Sequence, residues 1–182
     1  PGRRPLGLAG VGVDVLAHIV VYACFPGAVQ IAAKEIGLGT DRALTVTGGL
    51  SFAGGPWNDY VSHSIATMAD RLRADAGAVG LVTANGGFLT KHAFGVFSTT
   101  PPPAAFRHAD LQDEVDALPS RQLAEHVEPA ADGEVVVETS TVMHDRASNP
   151  ERAILSTLLA DGRRAWGGST DPAVLRELTT VE

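Results

Sequence analysis

The sequence predicts an α/β fold over residues 1–101, followed by a small antiparallel β domain over residues 102–182. In the first part, β-branched runs alternate with segments of helical spacing, and short glycine connections join them. After three consecutive prolines at 101–103, apolar and polar residues instead alternate with period two. We expect a mixed sheet with helices on both faces in the first domain, with its reactive groups at the carboxyl ends of the strands.

Each element of the first domain has its own sequence signal. The run VDVLAHIVVYACF predicts a buried strand that ends near Tyr22, and PGAVQIAAKEIGL predicts a helix from Pro26 to a stop at Gly37. ALTVT predicts a strand, a helix follows from about Asn58 to Arg73, and GAVGLVTANGG and HAFGVFST predict two more strands. The predicted buried face of the second helix consists of residues spaced three or four positions apart, namely Val61, Ile65, Met68 and Leu72.

The second domain shows a different pattern. GEVVVETSTVMHD and ERAILSTLLADGRRAWGG alternate in the manner of half-buried strands, with a tight turn at Asp161 and Gly162. PAVLREL adds one short helix. These features predict a small antiparallel β domain.

Composition excludes several classes of function. The 182 residues are 45% apolar, which is enough for a core, and 14 basic against 21 acidic residues give a net charge of -7. The basic residues are scattered, so nucleic acid is not expected as a partner. A single cysteine, Cys24, excludes an internal disulfide framework and a cysteine-rich zinc site, and we expect no metal and a cytoplasmic location. The apolar run LAHIVVYACF is shorter than the about 20 residues that span a bilayer.

Glycine doublets interrupt the first domain at three places. They are Gly48 and Gly49, Gly54 and Gly55, and Gly86 and Gly87. Glycine is used where a ligand approaches the backbone closely, and equally where a loop packs between a sheet and a helix, so both interpretations stay open. No dinucleotide fingerprint or phosphate-binding P-loop accompanies them.

Three stretches together resemble one protein family. YACFPGAVQIAAKEIGL, TVTGGLSFAGGP and LVTANGGFLTKHAFGVFS occur in the order and rough spacing of the C-terminal half of the thiolase superfamily, in particular of actinobacterial acetyl-CoA acetyltransferases and thiolase-like proteins. The tail, with TVMHDRASNPERAI and DGRRAWGGSTD, resembles the additional C-terminal β domain of a subset of these proteins, a barrel of the oligonucleotide/oligosaccharide-binding (OB) type.

The resemblance implies a thioester site between two similar halves. A cysteine of the N-terminal half, which we expect to lie outside this sequence, would take the acyl group from coenzyme A. The implied substrate is thus an acyl-CoA thioester, with no bound cofactor, and the implied partner is that N-terminal half or a partner subunit. A half that normally packs against its sister also implies an exposed apolar face, so we expect self-association into a homo-oligomer.

The sequence departs from ordinary thiolases at each motif that carries a catalytic side chain. Tyr22 stands at the first histidine position, Gly55 replaces the histidine before proline, and Thr83 falls near the last cysteine. Ordinary Claisen condensation is therefore in doubt.

Four other residues are candidates for the chemistry. His92 follows the last glycine turn and would serve as a base beside Asn85, or would be a surface histidine. Cys24 precedes a helix start, which favours a thiolate, although a small buried hydrophobe is the commoner role. Tyr22 would donate a hydrogen bond to an enolate or alkoxide, or pack with its hydroxyl in water.

Two main functions follow. The chain is expected to be the C-terminal part of an acyl-CoA-handling acyltransferase, in which the glycine doublets and the four candidates form the oxyanion and base side of the site. The alternative is a non-catalytic thiolase-like subunit or scaffold that binds a partner protein, which the missing histidines favour. A weaker third hypothesis makes the β domain a carbohydrate or nucleic-acid binder.

Overall fold

The computed structural model describes residues 4–102, 105–120, 123–124 and 133–180. The chain divides into two compact units, and the change from the first to the second falls between Ala117 and Leu118. The domain division after residue 101 stays a prediction. Each unit is described by itself below.

The first unit is built on a three-stranded mixed sheet. Its elements are α1 (Arg4–Ala9), β1 (Leu16–Val20), α2 (Pro26–Ile36), α3 (Leu50–Ala53), α4 (Tyr60–Ala74), β2 (Val79–Gly86), β3 (Lys91–Ser98) and α5 (Gln112–Asp116). The strand order is β1-β2-β3, with β1 parallel to β2 and β2 antiparallel to β3. The mixed α/β class predicted from the sequence is confirmed.

Helices cover both faces of this sheet because successive strand residues point to opposite sides. Ile19 of β1 and Leu81 of β2 pack in one core with the apolar face of α2. The next residue of each strand, Val20 and Val82, packs on the other side against α4. The carboxyl ends of β1 and β2 therefore lie side by side between two helical layers.

Helix α2 has the bounds that the sequence predicts. Pro26 occupies its first turn, where a missing N–H leaves no hydrogen bond unmade. Gly37 ends it in the left-handed region at φ 86°, and its N–H donates to the carbonyl of Ala33. This helix fixes the direction in which the chain leaves the end of β1.

The prediction of a strand at ALTVT is wrong. Residues 43–47 form no strand, although the N–H of Val21 still donates to the carbonyl of Leu44 at 2.9 Å. The N–H of Thr47 donates to the side-chain oxygen of Thr45 at 3.1 Å, so this stretch bonds to itself. Threonine hydroxyls compete with a strand ladder in this way, and the segment becomes an irregular support for the glycines that follow.

The buried face of α4 agrees with the prediction at Met68 and Leu72 and differs from it at Ile65. The fully buried positions repeat every four residues and are Tyr60, Ser64, Met68 and Leu72. Ile65, predicted to be buried, is 39% exposed. The buried stripe is turned towards Tyr60 because its ring fills the space beside Tyr22, and Val61 only borders this core.

The second unit is a small antiparallel sheet with one helix. It contains β4 (Val136–His144), β5 (Pro150–Leu158), β6 (Arg164–Ser169) and α6 (Pro172–Thr179), in the strand order β4-β5-β6. The Asp171 carboxylate caps α6 by accepting the N–H of Ala173 at 2.7 Å. Within the described residues this sheet is open and no barrel closes, so the OB-type barrel stays a prediction.

The length and composition of the helices decide whether any of them could span a membrane. The longest in the described ranges, α4, has 15 residues. None of the helices described is both long and apolar enough to span a bilayer.

Candidate functional site

Polar side chains gather where β1 and β2 end. Tyr22 and Cys24 follow β1, and Thr83 and Asn85 belong to the last half of β2. The N–H of Tyr22 donates to the Thr83 hydroxyl at 2.9 Å, which ties the two strand ends together. We call Tyr22, Cys24, Thr83 and Asn85 the strand-end cluster.

Cys24 and Asn85 are in direct contact within this cluster. Asn85 Nδ2 donates to Cys24 Sγ at 2.9 Å, across 61 residues of sequence. The other end of the same amide, Asn85 Oδ1, is buried and has no hydrogen-bond partner among the described residues. A buried acceptor without a donor costs about 1–3 kcal/mol, so this oxygen is a place where a ligand donor would be stabilised.

Tyr22 is held beside a second tyrosine. Its ring meets that of Tyr60 edge to face, with centroids 5.2 Å apart. Burial, and then the nearness of Cys24 and Tyr60, raise the pKa of Tyr22 above its ordinary value. The Tyr22 hydroxyl therefore keeps its proton at neutral pH and can donate it to an oxygen that becomes negative.

Backbone conformation requires glycine at three of the four positions of the first two doublets. Gly48, Gly49 and Gly54 have φ of 85°, 78° and 84°, a region that other residues rarely adopt. A Cβ on Gly48 would also lie 2.8 Å from the Cβ of Phe52, whereas one on Gly55 would make only ordinary contacts. We call residues 48–55 the glycine loop.

Two N–H groups of the glycine loop are already engaged. The N–H of Gly49 donates to the hydroxyls of Thr45 and Thr47, at 3.1 and 3.3 Å. The N–H of Gly54 donates to the carbonyl of Leu50 at 3.0 Å. In this conformation neither group is available to an oxyanion, and the substrate-binding role of the doublets stays a prediction.

The third glycine doublet makes the turn between β2 and β3. Gly87 has φ 61° and Leu89 has φ 63°, so two residues of the turn adopt the left-handed conformation. This turn holds Phe88 outward, where its ring stacks on Phe25 with centroids 6.4 Å apart. Both rings are exposed, and they stand next in sequence to Cys24 and to Gly86–Gly87.

His92 lies opposite Asn85 in the β2–β3 ladder. Cross-strand partners project to the same face of a sheet, so His92 and Asn85 share a side. The ring is exposed, and its Nε2 lies 3.0 Å from the carbonyl of Leu89. A carbonyl can only accept, which places the proton on Nε2 and leaves Nδ1 of the neutral ring as the basic nitrogen.

Sequence reasoning missed the hydroxyl network beneath the glycine loop. Thr45 Oγ1 lies 3.1 Å from Thr47 Oγ1, which lies 2.7 Å from the hydroxyl of the fully buried Tyr60. The available signal was the TVT triplet before the first doublet, because alternate threonines ahead of glycine are suited to bonding loop N–H groups.

Two further features complete the description of this unit. An open depression of about 490 Å³ borders Thr47, with Phe52, His63 and Thr67 among its lining residues. Among the residues that the structure describes, no three His, Cys, Asp or Glu side chains converge as a metal site would require.

Comparison with known proteins finds a protein family and solved structures that match this chain. Residues 110–182 match the family described as the thiolase-like protein type 1 additional C-terminal domain. The chain is also similar to a monomeric SCP2-thiolase-like protein type 1 from Mycobacterium smegmatis, with 35% identity, a TM-score of 0.81 and 97% of this chain covered. It spans 38% of that protein's length. The comparison with curated proteins gave no match.

Proposed function

Since the chain belongs to the thiolase-like proteins that carry the additional C-terminal domain, we propose that it is part of an acyltransferase that acts on acyl-CoA thioesters. In this proposal the chain supplies the oxyanion and base side of the site. The nucleophilic cysteine comes from a part of the protein outside this sequence, which is consistent with the 38% coverage of the mycobacterial relative.

One observation carries the proposal. At the ends of two parallel strands, Asn85 bonds Cys24 through its nitrogen while its buried oxygen lacks a donor. Ligands of open α/β sheets bind at this edge, and an unpaired buried acceptor marks a position for a ligand N–H or O–H. The pantetheine arm of coenzyme A carries amide N–H groups of that kind.

Two other side chains have roles in the reaction itself. Tyr22, which is protonated at neutral pH and whose pKa is raised further by burial, donates a hydrogen bond to the thioester oxygen as negative charge develops on it. His92 accepts a proton at Nδ1 while the Leu89 carbonyl holds Nε2. The glycine loop is linked to Tyr22 through Thr47 and Tyr60, because the Thr47 hydroxyl bonds both the N–H of Gly49 and the Tyr60 hydroxyl, and the Tyr60 ring touches that of Tyr22.

The test uses the full-length protein and two matched variants. His92→Ala and His144→Ala each remove an exposed strand histidine whose ring contacts a main-chain carbonyl, that of Leu89 or of Val142. We expect His92→Ala to lower acetyl-CoA-dependent acyl transfer by about 100-fold, the usual contribution of a general base, and His144→Ala to leave it unchanged. If the wild-type protein neither binds acetyl-CoA in calorimetry nor gains an acetyl adduct by intact mass, the proposal is rejected.

The second candidate is a non-catalytic subunit that binds a partner protein. It is favoured by the engaged N–H groups of Gly49 and Gly54 and by exposed aromatic side chains on the first unit. A stable complex isolated from cells, together with no heat of binding for acetyl-CoA, would support this candidate over the acyltransferase.

A further inference from the structure

We propose that Tyr60 is the positioning residue of the glycine loop. Its phenol oxygen ends a relay of hydroxyl groups that runs from Thr45 through Thr47 and fixes the N–H of Gly49. The effect on ligand affinity, though not the relay itself, rests on the proposed function.

The direction of the relay follows from counting lone pairs. Thr45 Oγ1 accepts the N–H of Thr47 and the N–H of Gly49, each at 3.1 Å. A hydroxyl oxygen has two lone pairs and one proton, so the Thr45 proton is left for Thr47 Oγ1 at 3.1 Å. Thr45 therefore donates to Thr47.

The relay continues from Thr47 to Tyr60. Thr47 Oγ1 accepts from Thr45 and shares the N–H of Gly49 at 3.3 Å. It lies only 2.7 Å from the Tyr60 oxygen, so one of these two hydroxyls donates to the other. The Tyr60 hydroxyl thus anchors both threonine hydroxyls, and through them the N–H of Gly49.

Tyr60 is suited to this role because it cannot move easily. It is fully buried at the start of α4 and packs in the core with Met68 and Leu72. Its ring also touches Tyr22 of the strand-end cluster, with centroids 5.2 Å apart. One side chain therefore contacts both the relay below the loop and the group proposed to bind the thioester oxygen.

The decisive variant is Tyr60→Phe, which keeps the ring and removes the hydroxyl that bonds Thr47. Ser64→Ala is the matched control, since Ser64 is equally buried one turn along α4 and its hydroxyl bonds the Tyr60 carbonyl rather than the loop. Thr47→Val removes the hydroxyl at the other end of the Thr47–Tyr60 bond. If Tyr60→Phe does not fold, this variant tests whether the relay holds the N–H of Gly49.

The readout is the Gly49 amide signal in the full-length protein. Labelling glycine at both carbonyl carbon and nitrogen selects glycines preceded by glycine, which in this chain are Gly49, Gly55, Gly87 and Gly168. We expect Tyr60→Phe and Thr47→Val to shift the Gly49 signal and to speed its hydrogen exchange about tenfold, with no further change in the double variant. Ser64→Ala should leave it in place. An unchanged Gly49 signal in both variants, or additive effects in the double variant, would overturn the inference.

Acetyl-CoA affinity separates positioning from general stability. We expect Tyr60→Phe to weaken binding about tenfold relative to Ser64→Ala at matched Tm, because only the first variant frees the loop. Equal affinities in the two variants would show that Tyr60 does not position the site. If the wild-type protein binds no acetyl-CoA, the proposed function fails, while Gly49 exchange still decides whether the relay exists.

Discussion

Asn85 combines a satisfied donor with an unsatisfied acceptor, and such an arrangement has a cost in the unbound protein. Replacement by leucine of similar shape removes the bond to Cys24 and also the buried oxygen that lacks a donor. Removing the unpaired buried oxygen gains more free energy than losing the bond to Cys24 costs. We therefore expect Asn85→Leu to raise the free energy of unfolding by about 1 kcal/mol while acetyl-CoA affinity falls. Urea denaturation and calorimetry measure the two effects.

Asn149 provides the control for that substitution. Its amide nitrogen donates to the Asp145 carboxylate at 3.0 Å on the surface of the second unit. Asn149→Leu should lower stability and leave acetyl-CoA affinity unchanged. A loss of stability in Asn85→Leu equal to that in Asn149→Leu would mean that the Asn85 oxygen carries no penalty.

Tyr22 gives the first unit a dependence on alkaline pH. Its pKa is raised in the folded protein, so the folded state holds this proton more tightly than the unfolded state. The stabilising contribution is complete below the ordinary tyrosine pKa of 10.0 and is lost as the pH rises through the higher folded value. Proton loss from Tyr22 should also abolish its donation to a thioester oxygen.

Absorbance of the tyrosinate ion measures this titration directly. The chain has two tyrosines, so the difference between the wild type and Tyr22→Phe isolates Tyr22. We expect its midpoint above 10.0 in the folded protein and a return to the ordinary value in urea. A native midpoint at or below the urea value would contradict the assignment.

The sequence could name the candidate residues but not their pairing. Tyr22 and Asn85 are candidates because they stand near a strand end and a glycine turn, and Cys24 because it precedes a helix start; the structure brings these three together. The Cys24–Asn85 bond joins residues 61 apart and depends on the parallel register of β1 and β2, which no local pattern contains. The Tyr60 relay escaped prediction for the same reason.

At the scale of elements, β2 approaches α4 through a glycine. A Cβ on Gly80 would lie 2.3 Å from the Met68 sulfur, and Met68 is fully buried. We expect Gly80→Ala to destabilise the protein by about 1–3 kcal/mol through overpacking. Thermal or urea unfolding measures the change.

Helix α2 contains the matched control, because Gly27 lies in a helix with open space where a Cβ would be. Gly27→Ala should be neutral or stabilise by up to about 1 kcal/mol. If Gly80→Ala is tolerated as well as Gly27→Ala, then β2 and α4 are not packed through this glycine.

Element prediction succeeded where the pattern was long and failed where side chains redirected the backbone. Helix α2 combines an N-terminal proline, a C-terminal glycine and an apolar face, and its bounds match. Residues 43–47 have strand-like composition, but the Thr45 hydroxyl takes the N–H groups of Thr47 and Gly49. Short elements such as α1 and α3 span too few residues to show a period.

At the scale of the whole molecule, the first unit presents large aromatic side chains to solvent. Phe52, Trp57 and Phe88 are 86%, 92% and 87% exposed, and Phe25 stacks on Phe88. Phe52 lies within the glycine loop and Trp57 just after it, while Phe25 and Phe88 directly follow Cys24 and Gly87. Exposed apolar surface therefore adjoins, in sequence, the residues proposed to bind the thioester. Surface of this kind marks a contact region in soluble proteins.

This exposure predicts how the 182-residue chain behaves alone. We expect it to self-associate with rising concentration and to bind a hydrophobic dye, because burying aromatic surface yields about 25 cal/mol per Å².

Trp57 reports on the contact, so its fluorescence should shift to shorter wavelength on association in a Trp166→Phe variant. Light scattering should show the same transition, and replacing Phe52 and Trp57 by glutamine should weaken it. A 182-residue chain that stays monomeric and binds no dye would mean that these rings are tolerated in water and cover nothing.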